Sequence, residues 1–423
     1  MVRKLIIFIF ISVFLGNTAN AQNSDAALFK KKTILKDVKT ANKAQNYAQT
    51  DRILRGAFEK FKSAYNDAEL VNYEVNAQYE LVKAENRKIF LNSKPDTAAY
   101  FSHILSTYKY ALHCDSLDHL PDVKARIKPR YTGNLSDKLV SLRNNLRSGG
   151  KYHYKKKNYA LAYPFFDMYL STIGNPLLDY SKLSKNDPEF DTDSVEIAQV
   201  AVFSAYGNNN YYGVVKYLHL ALLDTANAVT MHEIGVKSYE QLKDSVAYES
   251  HLLTAFKAYP TRDYFYGRLV QLYNDRNRYE DALNILSQAT LADSTDRRLW
   301  YLKGKEYQLL ENNDSALQCY EKAVSILPTD AESYSSIGGI YLQKAHEFYE
   351  SADLTLGSSD YAKNRKRLNG LYVKSKEAFE SARLNAPSNY DLWIDGLREV
   401  YYKLGEGKKL REIESIFSSL GRK

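Results

Sequence analysis

The feature that most constrains this chain is a pattern of large and small side chains that recurs every 34 residues. With Asp263 as position 1, the recurring residues of the first unit are Tyr266, Tyr273, Ala282 and Ala289, at positions 4, 11, 20 and 27. The next unit starts without a gap at Arg297 and contains Trp300, Gly304, Tyr307, Ala316, Tyr320, Ala323 and Pro328. Two consecutive units of equal length predict a repeat architecture.

The spacing has a direct physical interpretation. Aromatic residues at positions 4 and 11 share one face of a first helix, and small residues at 8 and 20 let a second helix approach it closely. Position 27 meets the following unit, and the proline at position 32 ends the second helix. Each helix pair leaves an apolar face that only a neighbouring pair can cover, so the pairs are expected to stack into a superhelix.

These residues and their spacing resemble the tetratricopeptide repeat. The resemblance implies an all-α fold, a right-handed α-solenoid of stacked antiparallel helix pairs. It also implies a scaffold that binds proteins or peptides in its concave groove rather than a catalyst. In some cytosolic members, Lys and Asn at positions 5 and 9 clamp a C-terminal carboxylate. Here those positions hold Gly267 or Tyr301 and Gln271 or Lys305, which argues against a chaperone-tail adaptor.

A third unit begins at Ala331 and is interrupted. Its signature residues are Tyr334, Gly338 and Tyr341, followed by Phe379, Ala382 and Pro387. The second group is in register only if about 25 residues are inserted into the 34-residue template. The insertion, about 344–374, is helical in composition and predicts one elongated helix pair that protrudes near the C-terminus. The interrupted unit spans residues 331–389, and a separate capping unit over 390–423, with Trp393 at position 4, ends the stack.

The pattern weakens towards the N-terminus. Residues 263–296 and 297–330 form complete repeats, and residues 194–262 predict weaker repeats of the same kind. A degenerate repeat and a long connection are predicted over 141–193. Residues 22–140 show helical periodicity without signature residues, which favours further helix pairs.

The first 21 residues have the order of a secretory signal. Arg3 and Lys4 precede an apolar run from Leu5 to Leu15, and small residues lead to a cleavage site after Ala21. The run is too short to cross a bilayer, so no membrane span is expected after cleavage. We therefore expect an exported protein. The first expectation for its location is the periplasm of a Gram-negative cell, and the second is the extracellular space.

Several classes of function are disfavoured. The chain has no phosphate-binding glycine loop, no His-Glu-x-x-His and no nucleophile elbow, so we expect no enzyme activity, cofactor or metal. The adjacent residues His113, Cys114 and Asp115 point in different directions on a helix and cannot close on one ion. The net charge of +8 includes basic runs at 30–32, 155–157 and 363–367 in helical segments, which predict solvated faces rather than nucleic-acid binding.

Candidate binding residues follow from helix geometry. Positions 2, 5, 9 and 12 of the first helix form one stripe turned away from the second helix. In the two complete units this stripe contains Tyr264, Gly267, Gln271, Asn274, Arg298, Tyr301, Lys305 and Gln308. Its aromatic, amide and basic side chains suit an extended peptide of a partner in the cell envelope, in an assembly or secretion complex.

Two alternatives remain open at this point. A merely solvated concave face explains the polar stripe nearly as well, because any soluble helix must place polar residues somewhere. A self-assembling envelope protein that forms homo-oligomers through residues 344–374 is a different class of function.

Overall fold

The computed structural model describes residues 30–178 and 193–421, and all regular structure within these ranges is helical. Consecutive helices pack against each other as antiparallel pairs, which confirms the predicted all-α solenoid. The chain divides into two compact units, one up to Asp244 and one from Ser245 onward. The predicted signal sequence lies outside the described residues, as do residues 179–192 of the region 141–193, for which a degenerate repeat and a long connection are predicted.

The first unit contains ten α-helices within the described ranges. They are α1 Lys31–Lys43, α2 Tyr47–Lys60, α3 Lys62–Tyr65, α4 Ala68–Phe90, α5 Thr97–Asp118, α6 Thr132–Lys155, α7 Tyr159–Ser171, α8 Asp193–Gly207, α9 Tyr211–Ala221 and α10 Ala228–Gln241. Helices α4, α5 and α6 have 23, 22 and 24 residues. Long helices therefore also occur near the N-terminus, where the sequence pattern did not predict them.

Close packing in the first unit uses paired glycines. A Cβ atom on Gly149 would stand 2.7 Å from the ring of Phe165, and one on Gly150 would stand 2.4 Å from the ring of Phe166. Both glycines are in α6 and both phenylalanines are in α7, so the two helices approach through this contact. The degenerate signature around these residues therefore coincides with a closely packed helix pair.

The second unit contains nine α-helices within its described residues. They are α11 Ser245–Ala258, α12 Asp263–Asn274, α13 Tyr279–Ala292, α14 Arg297–Leu309, α15 Asn313–Ile326, α16 Ala331–Ser351, α17 Tyr361–Asn385, α18 Ile394–Leu404 and α19 Gly407–Ser419. Helices α12, α14 and α16 begin 34 residues apart, at the first positions of the three units in the sequence pattern. None of the helices described in either unit combines the length and apolar character that a bilayer crossing requires.

The elongated helix pair near the C-terminus is confirmed. Helices α16 and α17 have 21 and 25 residues, whereas the helices of the two preceding repeats have 12 to 14. Part of the extension is buried, because Ala345 on α16 and Leu368 and Tyr372 on α17 belong to one apolar cluster with Leu397 on α18. The extension therefore forms part of the C-terminal core before it reaches the connection over 352–360.

The capping unit begins differently from the other repeats. Trp393 lies between a short 3-10 turn, Tyr390–Leu392, and the start of α18, so it precedes the helix rather than occupying its first turn. The indole is buried, and its Nε1 donates to the carbonyl of Ala386 at 3.1 Å. This hydrogen bond of Trp393 consequently links the residue that follows α17 to the start of α18.

Candidate peptide-binding surface

The signature residues of the sequence pattern build the scaffold. Buried residues of this set are Tyr266, Tyr273, Ala282, Ala289, Gly304, Ala316, Tyr320, Ala323, Gly338, Phe379, Ala382 and Trp393. Half-buried residues are Trp300, Tyr307, Tyr334 and Tyr341, and Pro328 and Pro387 are exposed just after α15 and α17. The buried residues join the helices of each pair, and the prolines follow the second helices.

The first helices of three consecutive repeats contact one another in sequence. Asn274 on α12 donates from Nδ2 to Oε1 of Glu306 on α14 at 2.9 Å. Arg297 at the start of α14 contacts Asp330 at 3.1 Å and Glu332 at 3.2 Å, at the start of α16. Helices α12, α14 and α16 therefore form a continuous layer, and this layer carries the predicted stripe.

Position 9 is the most open part of the stripe. The side chains of Gln271 and Lys305 are exposed, and Gly339 is exposed at the same position of α16. A Cβ atom on Gly339 would meet no atom within 4 Å, and the same holds for Gly267 at position 5 of α12. Glycine in a helix interior costs roughly 1 kcal/mol relative to alanine, and at these two sites close helix packing does not require it.

Tyr301 and Gln308 line the stripe but contact the scaffold. The ring of Tyr301 lies 5.7 Å from the ring of Tyr320, centre to centre, and burial raises the pKa of the Tyr301 phenol. The Tyr320 hydroxyl donates to Oε1 of Gln308 at 2.5 Å. These two residues therefore connect the stripe to the second helix, and a substitution at either would disturb the repeat itself.

The remaining predicted residues differ in their exposure to solvent and in their contacts within the protein. Arg298 is exposed and pairs with the carboxylate of Asp296 at 2.9 Å. Tyr264 is half-buried, and the guanidinium of Arg268 lies 4.7 Å from the centre of its ring. Lys305 is exposed, with its Nζ 5.9 Å from the centre of the Tyr301 ring. Gln271 and Lys305 are thus the side chains best placed to contact a partner.

Sequence reasoning missed Glu306. This carboxyl is 2% exposed, at a position that holds leucine in α12 and the buried Ile340 in α16. Burial raises its pKa, while the hydrogen bond from Asn274 lowers it. Oε2 of Glu306 and Oδ1 of Asn274 are both buried without a hydrogen-bond partner among the described residues. The signal that could have revealed Glu306 is a charged residue at a repeat position where the neighbouring units hold apolar residues.

This surface presents the amide of Gln271 and the ammonium of Lys305 near the uncrowded Gly267 and Gly339. Within the described residues, no three His, Cys, Asp or Glu side chains group as metal ligands. His113 stacks on Tyr65 with ring centres 4.1 Å apart, and Asp115 accepts from the hydroxyl of Thr132 at 3.1 Å. Those neighbours in sequence therefore contact different elements.

Comparison with known proteins supports the repeat assignment. Residues 298–330 match the sequence profile of the tetratricopeptide repeat. They form nearly all of the unit that begins at Arg297, whose helices α14 and α15 pack through Gly304 and Tyr320. This chain contains a tetratricopeptide repeat. Members of this family generally mediate protein–protein interaction.

Solved structures similar to this chain share little sequence with it. A TPR repeats protein from Bacteroides fragilis is 16% identical, with 62% of this chain and 98% of that chain covered and a TM-score of 0.31. The C-terminal part of a TPR repeat-containing protein from Cytophaga hutchinsonii is 15% identical, with 60% and 99% covered and a TM-score of 0.32. A third solved structure, of the protein MamA, is 18% identical, with 45% of this chain and 96% of that chain covered and a TM-score of 0.31. No curated protein matches the sequence.

Proposed function

We propose that this protein is an exported, non-enzymatic scaffold that binds an extended segment of a partner protein along α12, α14 and α16. The partner belongs to an assembly or secretion complex of the cell envelope. The observation that carries the proposal is the pair of open glycines, Gly267 and Gly339, beside the exposed side chains of Gln271 and Lys305. An added Cβ atom at either glycine would meet no atom within 4 Å, so the adjoining space is available to a bound chain.

The predicted contacts follow from the chemistry of the stripe. The amide of Gln271 can both donate to and accept from a peptide backbone, and the ammonium of Lys305 can meet a carboxylate. Tyr264, Asn274, Arg298, Tyr301 and Gln308 complete the predicted surface, with Tyr301 and Gln308 positioned by Tyr320. The surface selects an extended segment because its binding groups lie in successive helices of one layer.

Site-specific photocrosslinking in the cell tests this proposal. A photoreactive amino acid replaces Gln271 or Lys305 and, as the control, Gln318, which is exposed on the second helix α15. We expect one reproducible envelope protein in the adducts from positions 271 and 305, identified by mass spectrometry, and none from position 318. No adduct at the two stripe positions, or the same adduct from position 318, would reject the groove assignment.

Substitution of the open glycines gives a second readout. Gly267→Ala together with Gly339→Ala should lower the crosslinking yield, because each methyl group occupies the space left for the partner. Gly370→Ala on α17 is the matched control, since a Cβ atom there also meets nothing within 4 Å. An unchanged crosslinking yield in the double variant would show that the partner does not approach Gly267 or Gly339.

The second candidate function is self-assembly through residues 344–374. Tyr349 and Leu356 are exposed on and beside this helix pair, and Lys363, Arg365 and Lys366 are exposed with no ion pair within the described residues. A photoreactive residue at position 349 should then crosslink copies of this chain to one another. A monomer in light scattering at every accessible concentration would exclude this alternative.

Export is a separable part of the proposal. It rests on residues 1–21, which have the composition of a secretory signal. We expect the protein that accumulates in the cell to begin at Gln22 and to be released with the periplasmic fraction. N-terminal sequencing that finds Met1 on the accumulated protein would contradict export by this signal.

A further inference from the structure

The connection between α5 and α6 presents apolar and basic side chains to solvent. Every residue from His119 to Arg130 is exposed. Val123 is fully exposed, and Leu120 and Ile127 are each more than half exposed. Scattered single apolar residues are normal on a protein surface, but three within eight residues of one loop form a patch.

This loop has a defined conformation. Its apex closes around Asp122, whose Oδ1 accepts from the backbone N–H groups of Lys124 at 2.8 Å and Arg126 at 3.0 Å. The guanidinium of Arg126 donates to Oδ2 of Asp122 at 2.7 Å, and these bonds hold the pKa of that carboxyl below its usual range. At the base, Oδ2 of the buried Asp118 accepts from the backbone N–H of Tyr131 at 2.8 Å. The structure therefore holds Val123 outward at the apex.

Two of the four cations around the apex are not neutralised by acids. The loop contains Lys124, Arg126, Lys128 and Arg130, and Asp122 is the only acidic residue between His119 and Tyr131. That carboxylate is occupied by Arg126. Arg130 pairs with the carboxylate of Asp118, with 3.7 Å between Nε and Oδ1. Lys124 and Lys128 have no ion pair among the described residues, so two unpaired lysines flank the apolar apex.

The same edge of the first unit supplies further lysines. His113 near the end of α5 contacts the carbonyl of Tyr65, and Lys31 at the start of α1 pairs with Asp67 at 2.7 Å. The start of α1, the short helix α3 and the loop after α5 therefore lie at one edge. Lys32 and Lys62 are exposed on these elements and form no ion pair within the described chain.

We propose that the loop of residues 119–131 docks the first unit onto an anionic lipid bilayer. The aliphatic side chains of Leu120, Val123 and Ile127 would enter the interfacial region while the lysines meet the headgroups. A convex apolar apex suits a fluid surface, which reshapes around it, better than a protein surface, which would need a matching cavity. Lysines act as point charges without fixed geometry, as an array of mobile lipid phosphates allows.

Vesicle sedimentation tests this docking. Purified protein, in the form that the cell accumulates, is mixed with phosphatidylcholine vesicles that contain one third phosphatidylglycerol or none. We expect sedimentation with the anionic vesicles at low salt, weaker sedimentation at high salt, and none with pure phosphatidylcholine. Absence of binding to the anionic vesicles at low salt would overturn the proposal.

Variants separate this loop from general electrostatic attraction. Lys124→Glu with Lys128→Glu should lower the partition coefficient by at least about 25-fold, since each cation near an anionic surface contributes about fivefold. Val123→Asp should lower it about tenfold through loss of apolar burial. Both changes fall on exposed side chains, so helix content by circular dichroism should not change.

Matched controls lie in the second unit. Lys322→Glu with Lys408→Glu makes the same charge change at exposed residues of α15 and α19, and Val246→Asp makes the same apolar-to-acidic change on α11. Both should bind the anionic vesicles like the unsubstituted protein. Equal losses in the control and loop variants would show that net charge alone drives the binding, and would reject the loop as the docking site.

Discussion

The ring of Tyr320 lies directly over the backbone of Gly304: a Cβ atom on residue 304 would stand 2.7 Å from Cε1 of that ring. The following repeat has the same relationship, because a Cβ atom on Gly338 would stand 2.9 Å from the ring of Phe379. The aromatic residue of each second helix thus fills the space that the glycine of the first helix leaves open. This contact sets how closely the two helices of a repeat approach.

Gly304→Ala should therefore destabilise the protein, although alanine is the better helix former. Overpacking costs roughly 1 to 3 kcal/mol, and the gain in helix propensity returns up to about 1 kcal/mol. We expect a net loss of about 1 to 2 kcal/mol in the free energy of unfolding, measured by denaturant titration. Gly370→Ala, at an open helical site, should be neutral or stabilising, and equal stabilities for the two variants would contradict the close contact.

Gly267→Ala should have the opposite effect on stability. Nothing lies within 4 Å of the added Cβ position, so only the loss of backbone freedom in the unfolded chain counts. The expected gain is roughly 0.5 to 1 kcal/mol in the free energy of unfolding. A loss of stability would show that the position is more crowded than the structure indicates. It would also weaken the argument that the space beside Gly267 is available to a partner.

Glu306→Gln should stabilise the protein at neutral pH. Burial raises the pKa of Glu306, so the folded state binds its proton more tightly than the unfolded chain. Its contribution to stability is therefore fully present below the ordinary value of 4.5 and falls as the pH rises towards the folded-state pKa. Glutamine is neutral and can donate to the unpartnered Oδ1 of Asn274, whose isolation costs roughly 1 to 3 kcal/mol.

The pH dependence of that variant provides the measurement. The difference in melting temperature between Glu306→Gln and the unsubstituted protein should be smallest and constant below about pH 4.5 and should grow as the pH rises above that value. Glu321→Gln, at an exposed site on α15, is the control and should shift the melting temperature little. A constant difference across the whole range would show that Glu306 does not titrate differently in the folded state.

Asp118→Ala should loosen the loop of residues 119–131. The buried carboxylate accepts from the backbone of Arg130 and Tyr131, and its removal leaves those N–H groups without this partner. We expect faster trypsin cleavage after Lys124 and Arg126 under native conditions. Asp37→Ala, at an exposed residue of α1, should leave the cleavage rate unchanged. Equal rates in both variants would mean that the loop conformation does not depend on its base.

Some elements of the fold could be predicted from the sequence, because repetition makes the surroundings of a residue predictable. Gly304, Ala316 and Tyr320 must meet the same kind of neighbour as their counterparts in the next unit, so their spacing alone indicated which helices pack together. The lengths of the three long helices α4 to α6 were not predicted, because their sequences lack this repetition. Periodicity in that region indicated helices without indicating where each one ends.

The candidate surface could be predicted only in part. Helical geometry identified the stripe, and Gln271 and Lys305 are exposed on it. The same geometry could not show that Gln308 accepts from Tyr320 or that Asn274 donates to a buried Glu306. Those hydrogen bonds depend on which atoms of neighbouring helices come within about 3 Å of each other.

The sequence by itself determined that this is an α-solenoid with 34-residue repeats and an elongated pair near its C-terminus. It could do so because helix periodicity and apolar burial sum many weak contacts, so single departures such as Glu306 do not change the outcome. Only the tertiary structure decided which polar side chains remain available and which loop presents Val123 to solvent. A polar side chain has few partners, and its availability is decided by the positions of individual atoms in adjoining helices.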